Sequence, residues 1–320
     1  MTAPSDTAAQ KQRGPQLALW LLLALYAAAN VLPLFPHAFP PPWYAASQIL
    51  PAVLFAMIHG AIAYRPRGIL AFAAISLGVG YLMEAIGVRT GFPFGHYYFT
   101  DGMGPKLFLV PMLMGPAYLG IGFIAWAVAK VILSASNSSD ELAGTRLVTL
   151  PLAASFIMVA WDLSMDPALS TVGHYWIWTR GGAYFGVPVT NFLGWYLTNY
   201  LIYQLFAIFH RRRFEATNPP QFAHQRLAVL FYAVCAAGSV LRVIPTSAPS
   251  AVADPTGTVW RVGDINDVCA LAAMFIMGAF VTLALARLAG RASDFRLRRE
   301  DRYQASLTAV PRRDEVEQVR

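Results

Sequence analysis

The chain has 320 residues, of which 57% are hydrophobic and only 13% charged, and its mean hydropathy is +0.48. Soluble domains usually carry about 25% charged residues, so this composition excludes an ordinary soluble globular protein. A net charge of +7 would suit a nucleic-acid binder, but the placement of the basic residues accounts for it by membrane anchoring, and no nucleic-acid partner is expected.

Apolar stretches near the roughly 20 residues that cross a bilayer recur along the chain. They predict spans at 17–35, 45–64, 68–86, 107–130, 146–165, 190–209, 226–243 and 266–286. Lipid-facing backbone must satisfy its own hydrogen bonds, so the expected fold is all-α: a polytopic transmembrane helical bundle of about eight helices. Residues 1–14 read as a cytoplasmic N-terminal arm, 15–288 as the transmembrane domain that carries any chemistry, and 289–320 as a cytoplasmic C-terminal tail. The first span ends in Ala27-Ala28-Ala29, faintly like a signal-peptidase site, but the spans that follow favour an uncleaved helix. The segment 244–264, with Pro245, Pro249 and Pro255, reads as an outer loop.

Basic residues orient these spans. With both termini in the cytoplasm, 19 of the 24 Lys and Arg residues fall on that side, against Arg89, Lys106, Arg180, Arg242 and Arg261 on the other. Leaving out the C-terminal tail, the ratio is still ten to five, as the positive-inside rule requires. A multi-pass protein of the cytoplasmic (inner) membrane is the expectation. Cys235 and Cys269 each lie within an apolar run and read as small core residues, not as a disulfide or a metal pair.

Acidic residues stand where a bland membrane protein avoids them. Glu84 closes the third span, and Asp162 and Asp166 close the fifth. An acid at this depth usually faces a partner or a cavity. The two units also match: twelve positions separate Glu84 from His96 and Asp162 from His174. Gly95-His96-Tyr97-Tyr98 answers Gly173-His174-Tyr175-Trp176, and Val110-Pro111 answers Val187-Pro188. This spacing predicts a helix–loop–helix unit used twice in parallel topology.

Asp162 and Asp166 are four apart and share a helical face, with Pro167 expected to end that helix. Two acids so close disfavour double ionisation, which suits one of them to hold a proton as a general acid. Arg180 is placed to neutralise one of the pair, and Asn191 to orient water or an acid. His96 and His174 with the three acids are ligand types also found in zinc and iron sites. No short His spacing supports a metal, and none is expected. The loops are too apolar to be solvated connectors. Phe94, Tyr97, Tyr98, Tyr175, Trp176, Trp178, Tyr184, Phe185 and Trp195 suit either an aromatic belt at the membrane surface or a pocket for a long apolar ligand, whose rings also stabilise a cation.

Three stretches carry a resemblance. Thr90-Gly91-Phe92-Pro93-Phe94-Gly95-His96-Tyr97-Tyr98, Trp161-Asp162-Leu163-Ser164-Met165-Asp166-Pro167 and Gly181 to Trp195 resemble the membrane carotenoid biosynthesis family, over roughly residues 17–290. The resemblance implies a carotenoid 1,2-hydratase acting on γ-carotene-type or bisanhydrobacterioruberin-type ends. Water would add across the terminal C1=C2 bond of an acyclic end group, giving a tertiary alcohol. Such chemistry requires a protonated carboxyl, a means of delivering water and rings around a tertiary cation, and no cofactor. Within this chain, Asp162 is then expected to donate the proton, with Asp166 as its electrostatic partner and Glu84 across the pocket positioning or deprotonating water. The expected partners are a lipophilic polyene drawn from the bilayer and the membrane lipids; the oligomeric state is left open. Another membrane isoprenoid enzyme (desaturase, cyclase or prenyltransferase) and a proton-coupled transporter remain as alternatives.

Overall fold

The computed structural model describes residues 6–35, 41–133, 142, 144–213, 222–244 and 249–308. The first five residues of the arm and the last twelve of the tail lie outside that set. Among the described residues the protein is mostly helical: α1 (Asp6–Ala29), α2 (Pro41–Thr90), α3 (Met114–Leu133), α4 (Arg146–Leu163), α5 (Val189–Arg213), α6 (Phe222–Leu241), α7 (Val262–Leu271) and α8 (Gly278–Thr308). A π-helical stretch, Ala272–Met277, joins the last two. Among the described residues six helical stretches are long and apolar enough to cross a membrane, so the chain is a multi-pass membrane protein built as a helical bundle.

The 50 residues of α2 are not one rod. Arg65 has φ 60 and ψ 164, outside the helical region, and Pro66 can neither donate to the preceding turn nor tolerate a helical residue before it. In a straight helix nine residues span about 13 Å. Yet a Cβ placed on Gly60 would stand 2.4 Å from Ile69 Cδ1. The chain therefore doubles back at Arg65, and the absent side chain of Gly60 lets the two rods touch. The predicted spans 45–64 and 68–86 are these two rods.

Helix α3 lies against α2, α4, α6 and α8, and 15 of its 20 residues are buried. It starts seven residues later than expected, because β2 (Lys106–Leu107) and β3 (Val110–Pro111) form a short hairpin. Helix α4 also departs from expectation. It ends at Leu163, before Asp166, and the chain continues past Pro167 as a π turn over Ala168–Val172. Asp166 therefore opens the second helical segment, just past the break at Ser164 and Met165. This frees its carboxyl from the α4 surface.

The two aromatic loops meet. β1 (Tyr97–Phe99) and β4 (Trp176–Trp178) pair antiparallel, with Tyr97 opposite Trp178, Tyr98 opposite Ile177 and Phe99 opposite Trp176. The ladder is extended by Thr179 N donating to His96 O at 2.9 Å and Thr100 N donating to Tyr175 O at 3.1 Å. Alternation along a strand sends neighbouring side chains to opposite faces: Tyr97 and Phe99 are buried while Tyr98 is 50% exposed.

The second loop closes with a tight turn in which Tyr184 and Val187 exchange backbone hydrogen bonds. Phe185 (φ 52) and Gly186 (φ 86) occupy its centre, the pair of positive φ values that a type I′ turn requires. Gly182 lies against the far side: a Cβ there would stand 2.1 Å from Val187 C and 2.2 Å from Pro188 N. Both are backbone atoms, so the turn itself must open to admit a methyl group. Gly182→Ala is expected to destabilise the protein by about 1–3 kcal/mol, as overpacking does. An unchanged thermal midpoint in detergent would contradict this placement of the loop.

Candidate active site

Beneath the paired loops lies a cavity of about 480 Å³, within the range of small-molecule sites. Its walls are largely apolar and aromatic, with Phe94, Tyr97, Tyr175, Trp176, Trp178 and Trp195 contributing. These are six of the nine rings expected to hold a ligand. The other three point elsewhere. Tyr98 faces outward because it alternates with Tyr97 and Phe99. Phe185 is turned by its positive φ against Trp260, with ring centroids 5.5 Å apart. Tyr184 lies beside Phe185 and donates its hydroxyl to Leu163 O at 3.0 Å.

Glu84, on the second rod of α2, is 2% exposed and lines the cavity. Both of its oxygens accept from phenols: Oε2 from Tyr97 Oη, and Oε1 from Tyr118 Oη at 2.8 Å. Burial first, and then the carboxyl beside it, holds the Tyr97 phenol well above its usual range. Tyr97 therefore remains a donor at any ordinary pH. The Tyr118 ring stacks on Trp195 at 4.6 Å and 15°, which fixes the second donor and makes a flat wall next to the carboxyl. No basic side chain joins Glu84 among the described residues.

Asp162 and Asp166 form a second acidic group, fully or almost fully buried. One residue of α5 holds both: Asn191 Nδ2 donates to Asp162 Oδ2 at 3.1 Å and to Asp166 Oδ2 at 2.6 Å. The remaining Asp166 oxygen, Oδ1, accepts from Trp176 Nε1 at 3.2 Å, with Trp178 Nε1 more distant at 3.5 Å. Asp162 Oδ1 is buried with no hydrogen-bond partner. Because two carboxyl groups demand the amide hydrogens, the orientation of Asn191 is fixed by chemistry, and its Oδ1 is left as the free acceptor. Asn191 lines the cavity, whereas neither Asp162 nor Asp166 does. The acids expected to face a ligand directly thus stand behind the amide that does.

The loop histidines and Arg180 are not brought to this site. His96, His174 and Arg180 are exposed and do not line the cavity. The backbone explains it: the carbonyl of His96 accepts from Thr179, and that of His174 from Thr100 Oγ1 at 2.7 Å. His174 has φ 51, so the turn carries its ring away. Arg180 makes no ion pair with Asp162 or Asp166; the donors to these acids are neutral.

Tyr118, Trp161, Asn30, Gln48 and Arg242 belong to this region and were not anticipated. One signal was available for Tyr118. It lies eight positions beyond Val110, as Trp195 lies eight beyond Val187, and the two rings at these matching positions stack on each other. A buried phenol also needs a hydrogen-bond partner, and Glu84 is the acid at hand.

The fold and site together define a class: a multi-pass membrane protein with an apolar, aromatic cavity into which a buried carboxyl group and a fixed amide project. Residues 44–256 match the profile of the carotenoid biosynthesis protein family, and the chain belongs to that family. It is similar to a bisanhydrobacterioruberin hydratase of Haloarcula japonica, with 31% identity over 142 residues, which are 44% of this chain and 45% of that protein. The match therefore spans about half the length of this curated relative. No solved structure matches the chain.

Proposed function

We propose that the protein is a carotenoid hydratase that adds water across the terminal C1=C2 bond of an acyclic end group, as in γ-carotene or lycopene. The observation that carries this reading is the Glu84 carboxyl, which lines an apolar, ring-walled cavity and accepts, among the described residues, from two phenols. Membership of the carotenoid biosynthesis family and similarity to a protein named as a hydratase support it.

An isolated trisubstituted alkene gains water only after a strong acid protonates it. In the proposed sequence protonated Glu84 gives its proton to C2, and the π electrons form the new C–H bond. A tertiary cation is left at C1, facing the Trp195 ring and its neighbours, whose π faces stabilise positive charge. A water accepted by Asn191 Oδ1 attacks C1 and forms the C–O bond. Its surplus proton returns to the Glu84 carboxylate, restoring the acid. Tyr97 and Tyr118 donate to the carboxylate while it exists, which is electrostatic help at the moment of charge development. Asp162 and Asp166 hold Asn191 in position. Proton donation passes from Asp162, the residue favoured by the sequence pattern, to Glu84, because a donor to carbon must reach the cavity.

The finer architecture belongs to the same proposal. The six long apolar stretches become seven with the reversal at Arg65 counted and eight with α5 added; in this proposal all eight cross the membrane, with both termini cytoplasmic as the basic residues require. The repeat is supported by the ladder. Tyr98 pairs with Ile177, 78 positions beyond Phe99, and Phe99 pairs with Trp176, 78 positions beyond Tyr98. The same offset takes Glu84 to Asp162 and His96 to His174, and such reciprocity is what a local two-fold relation between two units demands. A substrate longer than the cavity enters from the bilayer, with its reacting end inside and the rest of the polyene in lipid.

Membranes holding the protein, supplied with lycopene or γ-carotene in ¹⁸O-labelled water, test the reaction. Gain of one labelled water by the extracted carotenoid is expected, without added nucleotide or flavin. Loss of two hydrogens, or a new ring without oxygen, would replace the reading with a desaturase or a cyclase.

A further inference from the structure

The β2–β3 hairpin carries an apolar tip to which the proposed reaction assigns no role. Leu107 pairs with Val110, so Phe108 and Leu109 form a two-residue turn. Phe108 has φ 58, and Leu109 does not share the positive value. That is the first central position of a type II′ turn, which glycine usually holds. A bulky ring there costs backbone strain and gains no packing. Phe108 is 81% exposed, and Leu107, Leu109 and Met112 are about half exposed, whereas Val110 on the other face is buried.

The second unit shows what such a ring meets when protein covers it. The pattern Phe-x-Val-Pro recurs 77 positions on, as Phe185, Val187 and Pro188. Phe185 also has a positive φ, and Tyr184 bridges to Val187 as Leu107 does to Val110. There a further hairpin lies over the turn, β5 (Ala251–Ala253) paired with β6 (Val259–Arg261). Its Trp260 meets Phe185 edge-on at 5.5 Å, and Ile265 and Cys269 pack beside them. Among the described residues Phe108 has no such cover.

Two contacts set the level and the chemistry of the exposed tip. Tyr81, on the second rod of α2, donates its hydroxyl to Met112 O. Tyr81 lies nine residues before the end of that rod at Thr90, a distance of about 13 Å, and helical side chains lean toward the N-terminus. Leu109, three residues from Met112, reaches at most about 11 Å farther out. The tip therefore stays level with the rod. Lys106, the one charge on the hairpin, is turned back and donates to Phe99 O at 2.8 Å and Asp101 Oδ1 at 2.9 Å. What faces outward is hydrocarbon, continuous with Leu82, the residue after Tyr81, which is 59% exposed. Acyl chains match such a surface; water and a polar protein face do not.

We propose that the tip from Leu107 to Leu109 is seated among the acyl chains of the bilayer. Lipid then takes, in the first unit, the place that Trp260 takes in the second. The hairpin lies between Met103 and Met114, which both line the cavity, so this seat holds that wall of the cavity against the membrane. The proposal is independent of the reaction assigned above.

The test places a nitroxide spin label on Phe108→Cys in the full chain, reconstituted into phosphatidylcholine vesicles. Cys235 and Cys269 are buried, and the unaltered protein serves as the labelling control. Power saturation compares collisions with oxygen, which concentrates in lipid, and with a water-soluble nickel chelate. A tip seated in the bilayer gives an oxygen accessibility several-fold above that to nickel. Nickel accessibility equal to or above that of oxygen puts the tip in water and overturns the proposal. Low accessibility to both means a protein cover, a second copy of this chain included, and overturns it equally. Leu109→Cys, on the same tip, gives the same three-way reading if Phe108→Cys does not fold.

Discussion

Glu84→Gln is expected to lower hydration by about 10²–10⁴-fold, the usual scale for loss of a general acid. Gln is nearly isosteric and can still accept from Tyr97 or Tyr118 through its carbonyl oxygen, so the cavity should keep its shape. What it lacks is a transferable proton and, after transfer, a carboxylate to take the proton back. The expected pattern is therefore loss of turnover with normal yield in the membrane and unchanged binding of the polyene. Rates are compared at equal protein level. Turnover within a few-fold of the unaltered protein would remove Glu84 from the proton-transfer step and return the role to Asp162, whose carboxyl would then have to reach the cavity by a movement of Asn191.

Asn191→Leu is expected to act first on stability. The two amide hydrogens of Asn191 serve Asp162 and Asp166 together, and Leu supplies none. Asp162 Oδ1 already lacks a partner, so the substitution strips that acid of its side-chain donors. An orphaned buried polar group costs about 1–3 kcal/mol and more if it is charged; two such groups amount to several kcal/mol. A clear fall in the thermal midpoint of the solubilised protein should accompany loss of activity. Asp166 retains its contact with Trp176, so Asp166→Asn, which leaves that indole an oxygen acceptor, should be milder. A midpoint that Asn191→Leu leaves unchanged would mean that the three side chains do not form the closed group described.

Much of this arrangement was legible in the residues, and the parts that were not share a cause. The spans follow from apolar length alone, which is why the two rods of α2 and the bounds of α5 and α6 lie near their expected places. The pairing of the aromatic loops was foreshadowed by their common spacing from Glu84 and Asp162. The inward rings of each strand follow from alternation once a strand is recognised, yet three residues such as Tyr97-Tyr98-Phe99 are too short and too uniformly aromatic to declare a period. Tyr98 was therefore grouped with its neighbours.

Long-range contacts account for the rest. The α4 helix stops at Leu163 although Pro167 alone would permit helix up to Asp166, and this puts Asp166 at the start of a new helical segment, where Asn191, from another helix, meets it. Nothing local to Asp162 marks it as lying behind an amide. His96 and His174 drew notice as titratable side chains, but what the ladder uses there is their backbone carbonyls. Arg242 looked like one more basic residue at a membrane boundary. That it lines the cavity together with Asn30, 212 positions earlier in the chain, depends on how α1 and α6 pack.

Turnover in D₂O tests the central claim, proton addition to carbon inside the Glu84 cavity, most directly. The carotenoid product is analysed for the position of deuterium by NMR and mass spectrometry. Protonation at C2 followed by water capture at C1 predicts one carbon-bound deuterium per hydrated end, on C2 beside the new tertiary alcohol, with its appearance abolished in Glu84→Gln. An alcohol formed without deuterium on C2, or deuterium uptake that persists undiminished in Glu84→Gln, would contradict the account.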